Sequence, residues 1–292
     1  MASTIDRNEL RDKIRALLNY WPDLMRLEAA MDPETDTLRV RAGQLKDFIQ
    51  PSGVLEIESE VLKVIDLPAE SDTVRVMRGH MNTTAANHVI NTQVRSYGRW
   101  GWTNSELNLL INDAIRWLKP SAWIDALSDT FTWSADTHVV DVPAASGISR
   151  PDGNYIYQLE HLNSGDSVYY PMRGWQLIGD TLHLRSNTAV GRTLRARYCQ
   201  FQAALTGDTT NLDNDDFAEA IASRTAELAL ISMGTNRVRY TEYSAALDDR
   251  ASTADELIRM AFNLRNMAER AKEQAARPLP SGFASTYRQP RP

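Results

Sequence analysis

Three capping boxes divide this chain into helical and non-helical stretches, and they restrict its fold more than any other feature of the sequence. In a capping box, a Ser, Thr or Asp side chain closes the first turn of a helix, and a Glu three residues later bonds back to it. Each box here stands before apolar residues at helical spacing, so each predicts the start of a helix. The boxes are Asp6/Glu9, Thr103/Glu106 and Thr253/Glu256.

Four helical segments follow from these patterns. The first runs from Asp6 toward Pro22, which should stop it, and a short helical piece is predicted over residues 23–31. The second, over residues 103–118, ends before Pro120. A third is predicted over residues 213–233 with Gly234 as its C-terminal cap. The last begins at the Thr253 box and carries apolar residues at coiled-coil-like spacing.

Strand patterns fill the two intervals between the helices. Residues 36–94 alternate between apolar and polar side chains and predict a small β module. Within it residues 53–65 predict two strands or one bulged strand. Glu56, Glu58 and Glu60 alternate there, so we expect them to share one face, which is either solvated or a negatively charged edge. Residues 130–205 predict about six strands of a β-sandwich, including a hairpin over residues 175–184 that turns at Gly179-Asp180.

Together these patterns predict an α+β fold, with a helical core of about four segments, two β insertions and an extended C-terminal tail. The alternative is three domains in a row, but short helices need a shared core to be stable, which favours the first arrangement. The predicted segments are 1–35 (N-terminal helical segment), 36–98 (small β module), 99–120 (core helix), 121–206 (β-sandwich), 207–276 (C-terminal helices) and 277–292 (extended tail).

Composition narrows the class of protein. The net charge of −6 argues against a dedicated nucleic-acid binder, which needs a basic excess for phosphate contacts. Cys199 is the only cysteine, so no intrachain disulfide can form, and its strand pattern predicts a buried, inert thiol. No apolar run approaches the roughly 18 residues that span a bilayer, and no signal peptide is recognisable. We therefore expect a soluble protein folded in a reducing compartment.

Catalytic signatures are missing from the sequence. It contains no phosphate-binding loop, no dinucleotide fingerprint, no His-Glu-x-x-His and no Gly-x-Ser-x-Gly. Its five histidines never stand four residues apart, the spacing that places two metal ligands on one helix face. We therefore expect no catalytic residue, no metal and no cofactor.

Residues 53–97 carry the most specific pattern in the chain. Gly53 opens an apolar–acidic alternation, which is followed by Arg78-Gly79, Thr83-Thr84-Ala85-Ala86 and His88. This run resembles a module of tailed-phage virion proteins, although Asn82 and Asn91 stand where that module usually has glycine. Asn is the non-glycine residue that best tolerates a left-handed backbone, so the turns should survive. We expect a rigid, self-bonding structural loop formed by Arg78, Gly79, Thr83, Thr84 and His88.

The layout around this module is similar to that of head-to-tail adaptor (connector) subunits of siphovirus-like phages. The resemblance implies a structural protein whose ring, a dodecamer, connects the portal to the tail and lines the DNA channel. The partners it implies are the portal protein, neighbouring adaptor subunits and a tail-side completion or terminator protein. DNA would pass through the lumen without specific binding, and no membrane is involved. The location it implies is the neck of the virion, assembled in the host cytoplasm.

The C-terminal segment differs sharply from the rest of the chain. Residues 277–292 contain four prolines, three arginines and no acidic residue, a composition typical of an extended tail. Extended termini often dock on the portal or on a neighbour in rings of the kind that the resemblance implies. The residues predicted to make that interface are Pro278, Leu279, Pro280, Phe283, Tyr287, Arg288 and Arg291.

Three other functions stay open at this point. The chain fits another tail or baseplate structural protein whose β-sandwich binds a receptor or carbohydrate. It also leaves room for a hydrolase or metal-dependent nuclease, or for a cellular protein of no viral origin. Carbohydrate binding would use exposed aromatic rings, and the candidates are Tyr155, Tyr157, Tyr169, Tyr170 and Trp175.

Overall fold

The computed structural model describes residues 4–40, 49–67, 73–98, 101–119, 121–128, 130–132, 139–141, 155–178, 181–184, 192–235 and 254–277. Within these ranges the helices are α1 (Arg7–Leu18), α2 (Asn104–Leu118), α3 (Ala218–Thr235) and α4 (Ala254–Ala275). Strands of the first half are β1 (Asp23–Arg26), β2 (Thr37–Arg39), β3 (Val54–Ile57), β4 (Glu60–Asp66), β5 (Thr73–Met77) and β6 (Gln93–Ser96). The later strands are β7 (Ile124–Leu127), β8 (Phe131–Thr132), β9 (Val139–Asp141), β10 (Tyr155–Leu162), β11 (Tyr169–Pro171), β12 (Trp175–Ile178), β13 (Thr181–Leu184) and β14 (Thr193–Gln200).

The chain divides into two compact units. The larger is made of residues 3–116 and 205–271, and the smaller mainly of residues 117–204 and those from 272 on. The larger unit thus combines two segments that are distant in the sequence. Within it, α1 of the first segment packs against α3 of the second. The fold is α+β, with helices gathered from distant segments and β regions inserted between them.

A six-stranded antiparallel sheet forms the β part of the larger unit. Its strand order is β1-β6-β3-β4-β5-β2. Just beyond the two edge strands, Leu27 forms an antiparallel bridge with Val40, so the sheet curls until its edges meet. Edge backbone groups thereby find partners within the chain. The inner face packs a continuous apolar core, which includes Met25, Leu38, Leu55, Ile57, Leu62, Val64, Val74, Val76 and Val94.

Local capping signals start the first two helices as predicted. The Asp6 side chain accepts a hydrogen bond from the Glu9 N–H at 2.9 Å. At α2, the Glu106 N–H donates to the Thr103 hydroxyl at 3.1 Å, and the Thr103 N–H donates to the Glu106 carboxylate at 3.0 Å. The Thr103/Glu106 box is confirmed in both directions, and the N-cap hydrogen bond of the Asp6/Glu9 box is present. Thr253, which belongs to the third box, lies outside the described residues.

The two C-terminal helices bury different amounts of surface. α3 is buried on nearly every side, as expected of a helix at the centre of a unit. It starts after a short 3₁₀ turn, Asp215–Phe217, and continues through Gly234, where the sequence predicted its cap. On α4 the buried positions repeat at heptad-like spacing, as the sequence indicated. They are Leu257, Leu264, Ala268, Ala271 and Ala275.

The smaller unit contains two antiparallel sheets. One has the order β11-β10-β14-β7, with β8 also pairing with β14, and the other has the order β12-β13-β9. Ile156 and Leu194 of the first sheet share an apolar core with Leu182 and Trp175 of the second. This is the predicted sandwich arrangement, with β7 as a strand that the sequence did not indicate. The predicted hairpin is present as β12 and β13, whereas its turn residues Gly179 and Asp180 lie outside the described residues.

The prediction of a helical piece over residues 23–31 is wrong. Asn19 ends α1 with a left-handed backbone (φ 48°), before Pro22 is reached. The chain then enters β1, which pairs antiparallel with β6. Alternate side chains from Met25 onward enter the core of the sheet, so the long-range pairing overrides the local helical pattern. Trp21 lies beyond the end of α1 and is 56% exposed.

Candidate functional site

A fully buried carboxylate, Glu60, organises the loop that the sequence singled out. Arg78 donates to both of its oxygens, from Nε and Nη2, each at 2.7 Å. The N–H groups of Gly79 and Ala86 donate at 3.1 and 3.0 Å, and Nε2 of His88 lies 2.9 Å away. We call these five residues the Glu60 cluster. It joins strand β4 to the segment after β5 and to the turn before β6.

The cluster keeps Glu60 ionised. Burial alone would raise the pKa of this carboxyl, but the bonds from Arg78, Ala86, His88 and Gly79 outweigh burial and lower it from 4.5 to about 2. A carboxylate in this state cannot exchange a proton near neutral pH. Its two oxygens also accept five hydrogen bonds, so they are saturated. The chemistry that this arrangement supports is structural: it fixes a loop.

Two members of the Glu60 cluster, His88 and Arg78, also make contacts outside it. Nδ1 of His88 lies 3.0 Å from the carboxylate of Glu58, so both ring nitrogens face an acid. A neutral imidazole has one N–H and can donate to only one of them, whereas the protonated ring donates to both. Arg78 also donates to backbone carbonyls, at 2.6 Å to Ala86 and 3.0 Å to Thr35. The loop, the hairpin and residues 32–35 are thereby held together.

Backbone geometry in the loop matches the residue types. Gly79 has φ 60°, and a Cβ there would lie 2.9 Å from the carbonyl oxygen of Thr83. Asn82 and Asn91 have φ 62° and 68°, so the expectation that they adopt a left-handed backbone is confirmed. The Thr83 hydroxyl donates to the His80 carbonyl at 2.8 Å and accepts from the Val61 N–H at 3.0 Å. Thr84 is exposed.

The prediction that Glu56, Glu58 and Glu60 share one face, solvated or negatively charged, is wrong. Glu58 has φ 53° and lies in the tight turn between β3 and β4, so the three residues belong to a hairpin and not to one strand. Glu56 and Glu60 are buried and only Glu58 is exposed, at 60% of its side chain. The alternation continued across a turn that contains no glycine, proline or asparagine to mark it.

Glu56 occupies a second buried polar site. Its Oε2 accepts hydrogen bonds from the Tyr97 hydroxyl at 2.5 Å and from the Asn104 N–H at 3.3 Å. Tyr97 follows β6 and Asn104 begins α2, so Glu56 connects the outer face of the sheet to a helix start. Burial raises the pKa of this carboxyl, in contrast with Glu60 four residues later.

Three buried arginines on α1 form a polar stripe that sequence reasoning missed. Arg7, Arg11 and Arg15 repeat every four residues, which places them on one face of the helix. They connect α1 to α2 and to the segment that precedes α3. The contacts are Arg7 with Leu205 and Asp208, Arg11 with Asn108 and Asp208, and Arg15 with Asn104 and Tyr97. Their i, i+4 spacing beside the apolar positions was a signal available in the sequence.

Compared with known proteins, the chain matches no family model, and no curated protein is significantly similar to it.

The aromatic side chains of the sandwich that the structure describes do not form an open row. The Tyr157 hydroxyl donates to Asp125 at 2.5 Å, and the guanidinium of Arg195 covers the Tyr169 ring at 3.8 Å. Trp175 packs into the core between the sheets. Tyr170 is 42% exposed. The side chain of Tyr155 lies outside the described part of the chain. These contacts weaken the carbohydrate-binding alternative, because stacking on a sugar needs uncovered ring faces.

The part of the chain that the structure describes contains neither a metal-binding cluster nor a membrane-spanning helix. There, no three His, Cys, Asp or Glu side chains are grouped so that they could hold a metal ion. No helix in the described ranges has the length and apolar character to cross a bilayer. Cys199 is buried as predicted, and burial raises the pKa of its thiol to about 12.

The seven predicted interface residues, from Pro278 to Arg291, lie outside the described residues. The residue just before them, Arg277, is held by two hydrogen bonds. The Arg277 N–H donates to the Ser121 carbonyl at 3.2 Å, and the Arg277 carbonyl accepts from Nε1 of Trp123 at 3.1 Å. The point from which the tail departs is therefore fixed to the smaller unit.

Proposed function

We propose that the protein is a structural subunit of a tailed-phage virion. In this role it forms a ring that connects the portal and capsid to the tail and surrounds the DNA channel. The Glu60 cluster is the observation that carries the proposal: Arg78, Gly79 and His88 of the phage-like segment converge on one saturated carboxylate. A loop stiffened in this way suits a protein that holds a fixed shape under load, and its carboxylate is unsuited to proton transfer.

Two further features support the proposal. The net charge of −6 suits a channel wall that DNA passes without adhering, because like charges repel. The tail starts at a fixed residue, Arg277, so a docking segment there would be presented from a defined point. In this role the partners of the protein are the portal protein, neighbouring copies of the same chain and a tail-side completion or terminator protein.

The proposal is tested by the mass of the assembled protein. Native mass spectrometry of the full chain, alone and mixed with the portal protein of the same virus, should reveal a closed homo-oligomer, a dodecamer, on or with the portal ring. The proposal fails if the chain remains a monomer in both samples at concentrations up to about 100 µM, well above the micromolar affinity of weak interfaces.

Removal of residues 278–292 should abolish portal binding and leave the fold intact. A proline-rich segment is already extended, so it loses little entropy on docking, and Phe283 and Tyr287 supply apolar anchors. The cut after Arg277 keeps its bonds to Ser121 and Trp123. Portal binding is measured by co-sedimentation and folding by denaturant unfolding.

The matched control for this truncation is the full-length double variant Phe283→Ser/Tyr287→Ser, which keeps the length and charge of the tail. Loss of binding in both variants supports docking through the aromatic anchors. Portal binding by the truncated chain at the affinity of the wild type rules out a docking tail.

A further inference from the structure

Two apolar residues occupy the turn that follows the Glu60 cluster. Val89 and Ile90 come directly after His88 and are 70% and 54% exposed, although a surface turn usually carries polar residues. The backbone of this turn is held in place, because His88 and Met31 exchange two backbone hydrogen bonds of 2.8 Å. The two apolar side chains are therefore presented to solvent from a fixed position.

The surroundings of this turn are mainly acidic. Leu27 and Met31 bond to its backbone, and Arg78 holds residues 32–35 beside Ala86 by donating to carbonyls of both segments. The exposed charged side chains on these segments, next to them and on the β3–β4 turn are the acids Glu28, Asp32, Glu34 and Glu58 and the bases Arg26 and Arg39. Arg39 is paired with Glu28, at 3.4 Å, so the surroundings keep a negative balance. We call Val89, Ile90 and the four acids the turn surface.

A second apolar pair lies on α4, in the part of the helix that belongs to the same compact unit. Ile258 and Phe262 are 66% and 61% exposed and stand four residues apart, so they are neighbours on one face of the helix. Arg259 and Arg265 are exposed beside them, and neither forms an ion pair within the described residues. We call these four residues the helix surface.

The two surfaces are complementary to each other. Both are apolar at the centre, while the charges around them are mainly negative at the turn surface and positive at the helix surface. Contact between the apolar centres would supply affinity, and the opposite charges would orient two copies and disfavour contacts of like with like. A closed ring around one axis requires such a pair, because each copy touches its two neighbours through two different surfaces.

We propose that the turn surface of one copy of this chain docks on the helix surface of the next copy. The inference rests on the proposed function, because it names the contact between neighbouring subunits of the ring. The Glu60 cluster acquires a role in this contact: it fixes the backbone that carries Val89 and Ile90. Docking therefore orders few additional residues and loses little entropy.

Charge reversal on either surface tests the contact. The helix variant is Arg259→Glu/Arg265→Glu and the turn variant is Glu28→Lys/Glu34→Lys, and all four positions are exposed, so both variants should fold. Each variant alone places like charges on the two sides of the contact, so its association should weaken at least about tenfold. An equimolar mixture places opposite charges at every contact and should regain assembly, with the two variants alternating. Sedimentation velocity measures the association and circular dichroism the fold.

The outcomes separate this contact from the proposed function. A wild type that stays monomeric up to about 100 µM overturns both. Assembly by the wild type and by both variants leaves the ring in place and overturns the contact alone. Loss of assembly in the helix variant but not in the turn variant also overturns it, because α4 would then pack on α4 of another copy. A mixture that fails to assemble has the same meaning.

The apolar centre is tested by Phe262→Ser. The substitution should weaken association about tenfold or more and leave the fold intact, because the neighbouring copy supplies most of the contact that covers this side chain. Val168→Ser is the matched control, since Val168 is 58% exposed in the smaller unit and lies outside both surfaces. The control should assemble like the wild type. Equal weakening by the two substitutions would contradict the proposal.

Discussion

Replacing Glu60 with Gln should lower the free energy of unfolding by about 3–5 kcal/mol at pH 7, the usual cost of removing one partner from a buried ion pair. The variant leaves Arg78 and His88 facing a neutral amide, in a site where Glu60 is completely buried. It also turns an amide N–H₂ toward groups that are themselves donors. Urea or guanidinium unfolding of the full chain, followed by circular dichroism, measures the loss.

Glu58→Gln is the matched control for this variant. Glu58 makes the same kind of contact with His88, at 3.0 Å, but its side chain is 60% exposed. Exposed ion pairs contribute at most about 1 kcal/mol, so the control should lose far less stability than Glu60→Gln. Equal losses in the two variants would show that Glu60 does not organise the cluster.

The stabilising effect of Glu60 should also depend on pH with a defined sign. Its pKa is lowered to about 2 in the folded chain, so its contribution is complete above the unfolded value of 4.5. The contribution is lost as the pH falls from 4.5 toward 2. The difference in stability between the wild type and Glu60→Gln should therefore shrink over that interval. A difference that is constant from pH 5 to pH 2 would contradict this assignment.

Gly101→Ala should lower the free energy of unfolding by about 3 kcal/mol, at the upper end of the usual cost of overpacking. A Cβ at this position would lie 1.8 Å from the Tyr20 hydroxyl and 2.6 Å from the Tyr97 carbonyl oxygen. The two atoms are hydrogen-bonded to each other at 3.1 Å, so the new methyl group would separate them. Tyr20 is buried and the carbonyl belongs to the backbone, so neither can move away cheaply.

A double-mutant cycle with Tyr20→Phe tests this explanation. Tyr20→Phe alone should cost about 1 kcal/mol for its lost hydrogen bond. In the Gly101→Ala background, Tyr20→Phe removes the atom nearest to the new Cβ. The loss of stability in the double variant should therefore be smaller than the sum of the two single losses. The double variant should regain only part of the stability, because the Tyr20 ring carbon at 2.3 Å and the Tyr97 carbonyl oxygen still lie close to the new Cβ. Strict additivity would show that the Tyr20 hydroxyl is not the obstacle.

Features that depend on neighbouring residues were predictable from the sequence. The capping boxes at Asp6 and Thr103 work because a side chain and an N–H three residues away meet in any first helical turn. The left-handed backbones at Asn82 and Asn91 follow from the conformational tolerance of Asn. Of the predicted loop residues, Arg78, Gly79 and His88 meet at Glu60 and Thr83 bonds the adjoining backbone, while Thr84 is exposed.

Features that depend on distant partners were not predictable. Residues 23–31 form a strand and bridges because β6 and residues 40 and 88 pair with them, and no local pattern reports those partners. Glu60 looked like a surface residue because the Arg78 and His88 that bury it lie 18 and 28 residues later. Arginines at positions 7, 11 and 15 similarly look solvated until their acceptors are known, which lie near residue 205 for Arg7 and Arg11 and at residues 97 and 104 for Arg15.

The contact between Arg7 and Asp208 has a consequence for synthesis of the protein on the ribosome. These residues are 201 positions apart, and Arg11 needs the same carboxylate. At roughly 5–20 residues per second, the acceptor emerges roughly 10–40 s after α1. During that interval Arg7 and Arg11 lack the carboxylate that they share in the folded chain. The polar stripe is therefore completed only after more than two thirds of the chain has been synthesised.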